Sequence, residues 1–280
     1  MGKGLPTLSI LFFVGIAVCT VQAAPIILNE YNGVDASKFV GGKDATKTDV
    51  YFGRITGNGG NWFELAVIQD HLDMRGWKLN WAYTEDADNS GAGTLALTSD
   101  SLWGDLRSGT ILTFTEFNAA EPDKTCPAGT DTSFAPASGD WWINVRSDST
   151  QYFTTAGTIM KKSVNAAVPA GEFSVNNSNW QLTIANAGEA VIFGPSGEGI
   201  KPSSGISDTS MCKLEADPSA NITPTSKYND GSSSTFGAPN AWTSSGDPFQ
   251  QDFSALRADV PEPATLALLA IGGLAMLCRR

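Results

Sequence analysis

The sequence predicts an all-β sandwich or barrel, and three observations carry that expectation. Apolar residues alternate with polar ones at the strand period rather than the helical one. Short apolar runs are separated by clusters of Gly, Asn, Ser and Pro. No stretch keeps a helical apolar stripe over successive turns. The composition agrees: 29 Gly, 26 Ser and 25 Thr stand beside only 17 % charged residues, below the roughly 25 % of an average soluble domain.

Taken in chain order, the first candidate strands are Ile26–Tyr31 and Trp62–Ile68, both dense in aliphatic and aromatic residues. The clearest is Trp77-Lys78-Leu79-Asn80-Trp81-Ala82-Tyr83. Alternation puts Trp77, Leu79, Trp81 and Tyr83 on one face, opposite Lys78 and Asn80. Thr94–Thr98 and Ile111–Phe117 follow, the second interleaved with threonine. Trp141, Ile143 and Val145 stand opposite Asn144 and Arg146, and Trp180, Leu182 and Ile184 opposite Gln181 and Thr183. Ala190–Phe193 is the last. Between them lie turn-makers such as Gly57-Asn58-Gly59-Gly60, Asp88-Asn89-Ser90-Gly91, Pro195-Ser196-Gly197 and Pro202-Ser203-Ser204-Gly205.

Several of these segments resemble one family. Ile26-Ile27-Leu28-Asn29-Glu30-Tyr31 is similar to the opening strand of a lamin-tail domain, aliphatics followed by Asn-Glu. Asn61-Trp62-Phe63-Glu64-Leu65 resembles its Trp-aromatic-Glu-Leu strand, and Leu72 to Leu79 its Leu-x-Gly-Trp-x-Leu segment. Leu106 to Thr115 resembles its Gly-Thr-Ile-Leu strand, and Ser234 to Asn240 its closing Gly-x-Pro-Asn turn. The resemblance implies an immunoglobulin-like β-sandwich used as an interaction module, with no catalytic residues. It is firmest over 26–117, and 121–140 reads as an insertion.

The two ends stand outside this domain. Lys3, the apolar stretch Leu8 to Val18 and Val21-Gln22-Ala23 read as a secretory leader over 1–23. At the other end Val260-Pro261-Glu262-Pro263 precedes an apolar segment, 264–278, and then Arg279-Arg280. As a helix that segment spans about 22 Å, short of a ~30 Å hydrocarbon core, and the arginines fit a cytoplasmic end. The arrangement resembles the PEP-CTERM sorting signal of Gram-negative-type bacteria, carried by Pro261, Glu262, Pro263, Arg279 and Arg280. The resemblance implies an exosortase-type processing partner and membrane attachment through 264–278 before processing. Delivery to the cell surface or the extracellular polysaccharide matrix is implied as well. The expected organisation is then a leader (1–23), one β-domain (24–240), a tether (241–259) and a sorting tail (260–280).

Chemistry is narrowed by inventory. A net charge of −11 repels phosphate backbones and excludes a nucleic-acid partner. With one histidine, His71, His-rich zinc sites are excluded, and any Ser-His-Asp triad must use that residue. Cys126 and Cys212, the two cysteines outside the end segments, are expected to form a disulfide worth up to roughly 4 kcal/mol. Asp86, Asp88 and Ser90, followed by Gly91, match the first half of a calcium loop, although Leu97 stands where the bidentate Glu belongs. Calcium is therefore the one cofactor the sequence brings into view. Trp103, Trp141, Trp142 and Trp242 are candidate sugar-stacking platforms, Trp141 and Trp142 because adjacent strand residues face opposite ways. Glu30 and Glu64 form a candidate acid/base pair. The expected role is a non-catalytic surface or matrix protein, structural or adhesive, in contact with exopolysaccharide or surface proteins. The alternatives are a secreted hydrolase using a carboxylate site and a calcium-dependent glycan-binding module.

Overall fold

The computed structural model describes residues 23–118, 125–161, 164–169, 171–198, 206–225, 227–244 and 247–258. The leader up to residue 22, the tail from 259, and residues 119–124, the last four of which open the expected insertion, lie outside the described residues. Strand β1 (Ile26–Asn32) pairs with β2 (Trp62–Val67), which pairs with β5 (Ile111–Thr115). β6 (Trp142–Arg146) joins β5 in parallel, while β11 (Met211–Leu214) and β12 (Tyr228–Gly231) extend the other side of β1. The result is a six-stranded sheet in the order β12-β11-β1-β2-β5-β6. The second six-stranded sheet runs β10-β9-β3-β4-β7-β8. It contains β3 (Lys78–Asp86), β4 (Asn89–Leu97), β7 (Phe153–Lys161), β8 (Val164–Ala167), β9 (Gln181–Ala185) and β10 (Val191–Ser196). A separate hairpin, β13 (Ala241–Ser244) with β14 (Asp247–Gln250), leads into a one-turn helix α1 (Ser254–Arg257). The expected all-β sandwich is the fold of the chain.

The two sheets are buried differently, and their sequences say why. In β3 burial alternates as the Trp77–Tyr83 pattern requires: Leu79, Trp81 and Tyr83 face the core and Asn80 and Ala82 the outer surface. In β1, β2 and β5 every residue is buried. Trp62 and Phe63 are both fully buried but belong to opposite faces, Phe63 to the core between the sheets and Trp62 to a second cluster with Val34, Val40, Met211 and Phe236. A strand enclosed on both faces carries a continuous apolar run instead of alternation. Between the sheets the core is aromatic: Tyr31 lies 4.4 Å from Trp180, and Phe63 is stacked 5.0 Å from Phe114.

Two expectations are corrected here. Cys126 and Cys212 form no disulfide. Cys212 faces the core beside its cross-strand neighbour Tyr31, whereas Cys126 joins the cluster with Trp62 and Met211 on the other face of the same sheet. The sheet itself separates the thiols. The expected tether is packed into the fold as β13, β14 and α1, with Gln251 and Phe253 buried. Among the described residues no helix is long and apolar enough to cross a membrane; the expected span, 264–278, lies outside them.

The close approach of β3 to β4 depends on Gly93. A Cβ there would lie 2.5 Å from the Trp81 indole and 2.7 Å from the Ala156 carbonyl oxygen. Gly93→Ala is expected to cost about 1–3 kcal/mol through overpacking, read as a lower urea midpoint with an unchanged m-value; an unaltered midpoint would refute the contact. With Cys126 and Cys212 buried in different clusters on opposite faces of one sheet and unbridged, reducing agent should leave the melting temperature unchanged, where loss of a bridging disulfide would lower it clearly.

Candidate functional site

The enclosed outer face of the first sheet carries a polar row. Cross-strand register aligns Asn229, Lys213, Glu30, Glu64, Thr113 and Asn144, one residue from each of its six strands. A bulge makes the row possible. Leu28 pairs with Leu65 and Glu30 with Glu64, leaving Asn29 as an extra residue; such a bulge re-aims side chains without ending the pairing. Asn29 Nδ2 then lies 3.4 Å from both Glu64 Oε1 and Asn240 Oδ1.

A loop closes over this row. Thr235 Oγ1 donates to Glu30 Oε2 at 2.6 Å, and the Gly237 amide donates to Glu64 Oε2. Asn240 Nδ2 donates to the Asn29 and Leu214 carbonyls at 3.0 and 3.1 Å. Gln251 Nε2 donates to Asn29 Oδ1 at 3.0 Å and to the Ala216 carbonyl at 2.9 Å. Phe236 seals the loop, packing 5.0 Å from Trp62 and 5.6 Å from Trp142. Glu30 and Glu64 are completely buried. Burial pushes the Glu30 carboxyl up to about 7 against the opposing pull of Lys213 and Thr235. Glu64 is held well above the usual carboxylate range by burial and then by the charge of Glu30. Burial depresses Lys213. The pair read as a candidate acid/base site is thus roofed by Thr235, Gly237 and Phe236 and closed to solvent.

At its β12 end the row opens to the surface. Lys213 Nζ donates to Ser233 Oγ at 2.5 Å and to the Ala241 carbonyl at 2.7 Å. It also lines an open hollow of about 360 Å³ with Lys47, Glu215, Asn229, Asp230 and Trp242. Asn229 Nδ2 donates to Glu215 Oε2 at 3.3 Å. The half-buried Trp242 ring is held 4.3 Å from Phe249 across the β13–β14 hairpin. A broader trough of about 650 Å³ crosses the outer face of the second sheet, lined by uncharged Asn80, Thr94, Gln181 and Thr183.

The other predicted site residues are dispersed. Trp103 is fully buried, its Nε1 donating to the Tyr152 carbonyl at 2.8 Å, so it is core and offers no ring to a sugar. Trp141 is covered by the Arg257 guanidinium, 5.0 Å from its ring centre. Trp142 is half-buried with Nε1 bonded to Thr113 Oγ1 at 2.6 Å. Asp86 and Ser90 flank the β3–β4 hairpin turn, where Asp86 Oδ1 accepts the Asp88 amide at 2.7 Å. Among the described residues no group of three His, Cys, Asp or Glu side chains is placed to hold a metal ion. His71 Nδ1 lies 2.6 Å from Asp105 on the exposed surface. Lys213, Glu215, Asp230 and Gln251 were not singled out in the sequence; the lone Lys inside Met211-Cys212-Lys213-Leu214 is the one signal that marks any of them.

Residues 259–280 match the family described as the PEP-CTERM protein-sorting motif. The match covers the predicted sorting signal, so the chain is exported, sorted by an exosortase and membrane-anchored before processing. No family match supports the lamin-tail resemblance. No curated protein and no solved structure matches the chain.

Because the folded Glu30 holds its proton up to about 7 against an ordinary 4.5, the folded state binds more protons than the unfolded one across that window. Stability is therefore expected to fall as pH rises through it. Glu30→Gln has no proton to lose there and should flatten the dependence of the denaturation midpoint on pH; an equally steep slope in the variant would refute the assignment.

Proposed function

We propose that this exported chain works outside the cell as a non-catalytic, lamin-tail-like module that holds extracellular polysaccharide, with the hollow at Trp242 as its sugar contact. The observation that carries the reading is the chemistry gathered there. An indole face packs against the C–H face of a pyranose, and Glu215, Asp230 and Asn229 offer acceptors and a donor for ring hydroxyls. Lys213 fixes the floor, because its ammonium is bonded to Ser233 and Ala241. Two carboxylates in a chain of net charge −11 favour neutral or amino sugars over polyanionic ones. The convergence of Asn29, Glu30, Glu64 and the Ser234–Asn240 turn in one network supports the lamin-tail-like reading, since these residues carry the resemblance.

The test is retention of the purified domain on the host's own extracellular polysaccharide, with and without calcium. Retention independent of calcium is expected, because Asp86 is engaged by its own turn. Trp242→Ala should weaken binding about tenfold, or about 1.4 kcal/mol. Failure of the parent domain to bind would sink the reading, and equal retention of Trp242→Ala would remove the hollow from it.

A further inference from the structure

At one end of the sandwich, chain from both sheets encloses a small hollow separate from the one at Trp242. It has a volume of about 230 Å³ and shares no lining residue with that hollow. Tyr83 of β3, Val34 and Val175, all buried, give it an apolar lining. Asn61, Asn176 and Asn177, all half-buried, add side-chain amides. The walls are tied to the fold. Asn32 Nδ2 donates to the Gly57 and Gly60 carbonyls at 2.7 and 2.5 Å, and its Oδ1 accepts the Val34 amide at 3.1 Å. Trp180 Nε1 donates to the Ser174 carbonyl at 2.8 Å. Asn61 Nδ2 donates to Glu116 Oε2 at 2.6 Å and to the Phe173 carbonyl at 3.3 Å. Asn176 Oδ1 accepts the Ser178 amide at 2.7 Å. These bonds leave Asn61 Oδ1 and Asn176 Nδ2 unspent, and the Asn177 amide has no partner among the described residues.

We propose that this hollow binds a single neutral sugar ring, the end or a side branch of a polysaccharide chain, as a second site distinct from the Trp242 hollow. Its volume lies below the roughly 300–1,000 Å³ of pockets for drug-sized ligands, so it has room for one ring and not for a run of them. Its lining holds no Lys, Arg or His, and Asp35 is the one charged group. An anionic ligand would meet that carboxylate in a chain of net charge −11. An apolar ligand would strip water from the amides and leave them unpaired. A hydroxyl both donates and accepts, and an amide side chain presents groups of each kind. The unspent atoms of Asn61, Asn176 and Asn177 therefore suit neighbouring ring hydroxyls, while Val34, Val175 and Tyr83 suit the C–H surface between them. The tied walls hold these groups in place before a ligand arrives, which lowers the cost of binding. The preference for a neutral sugar follows from the pocket's own residues; that the sugar belongs to extracellular polysaccharide rests on the function proposed above.

The experiment uses the processed, isotope-labelled protein purified from its host and follows its side-chain amide signals by NMR. The neutral monosaccharides released by acid hydrolysis of the host's extracellular polysaccharide are titrated one at a time, with glucuronic acid as the charged control. At least one neutral sugar should shift the signals of Asn61, Asn176 and Asn177 saturably, and glucuronic acid should not. Asn177→Ala and Asn176→Asp should each weaken that binding about tenfold at an unchanged melting temperature. The second substitution keeps the oxygen that accepts the Ser178 amide and removes only the donor. Trp242→Ala should leave the binding as it is. Saturable shifts confined to the Trp242 hollow would overturn the second site and leave the proposed function standing. Shifts at the asparagines without retention of the protein on whole polysaccharide would support the site and remove the polysaccharide reading. Silence at all three asparagines, unchanged affinity in both asparagine variants, or equal binding of glucuronic acid would each overturn the assignment.

Discussion

Two carboxyl groups side by side across adjacent strands, with no access to water, set the terms for the first sheet. Glu30 and Glu64 are in direct register, and two such groups cannot both ionise in an apolar interior without large cost. Raised proton affinities relieve part of that cost, and Lys213 in the next strand offsets part of the remainder. The donors from Thr235, Gly237 and Asn29 complete the arrangement, and each must be carried there by a specific piece of chain. The bulge at Asn29, the loop sealed by Phe236 and the buried Gln251 follow from that requirement. Removing one member leaves the others buried and under-satisfied, so the network behaves as one unit.

The same requirement divides the molecule into a closed side and an open side. Chain drawn over the first sheet to cover its polar row is chain that does not cover the second, whose outer face carries small and uncharged polar side chains such as Ala82, Ala92, Asn80, Thr94 and Gln181. The hollow at Trp242 lies where the β13–β14 hairpin passes the β12 edge. Recognition surfaces carried on loops over a rigid sandwich are a common division of labour.

How much of this was legible in the sequence depended on side-chain size and enclosure. β3 and β9 were readable because large apolar residues alternate with polar ones. β7 was missed because its Thr-Thr-Ala-Gly run has no apolar side to mark, although it pairs with β4 along its whole length. β11 and β12 are short, and Lys213 and Asp230 disguise them. Glu30 and Glu64 stood out in the sequence, but their enclosure did not, because the segments that roof them come from some two hundred residues further along the chain. Residues 241–252 have the Ser, Gly and Asp content of a tether, and their packing rests on Gln251 and Phe253, two residues that no local pattern emphasises. The disulfide expectation rests on two cysteines in an exported chain without metal-like spacing, and none of that carries information about the faces of a sheet.

One strand pairing changes the meaning of the segment that read as an insertion. β6 runs parallel to β5, the one parallel pairing among the described strands. A chain leaving β5 must travel back the length of the sheet before it can enter β6 in the same direction, which no tight turn achieves. The connection between the two strands makes that return, and its described part from residue 125 on buries Cys126 and Ala128 with Trp62 and bridges Asp131 to Asn144. Its length is therefore a topological necessity. Shortening the connection to a hairpin would leave β6 able to pair with β5 only in the antiparallel sense.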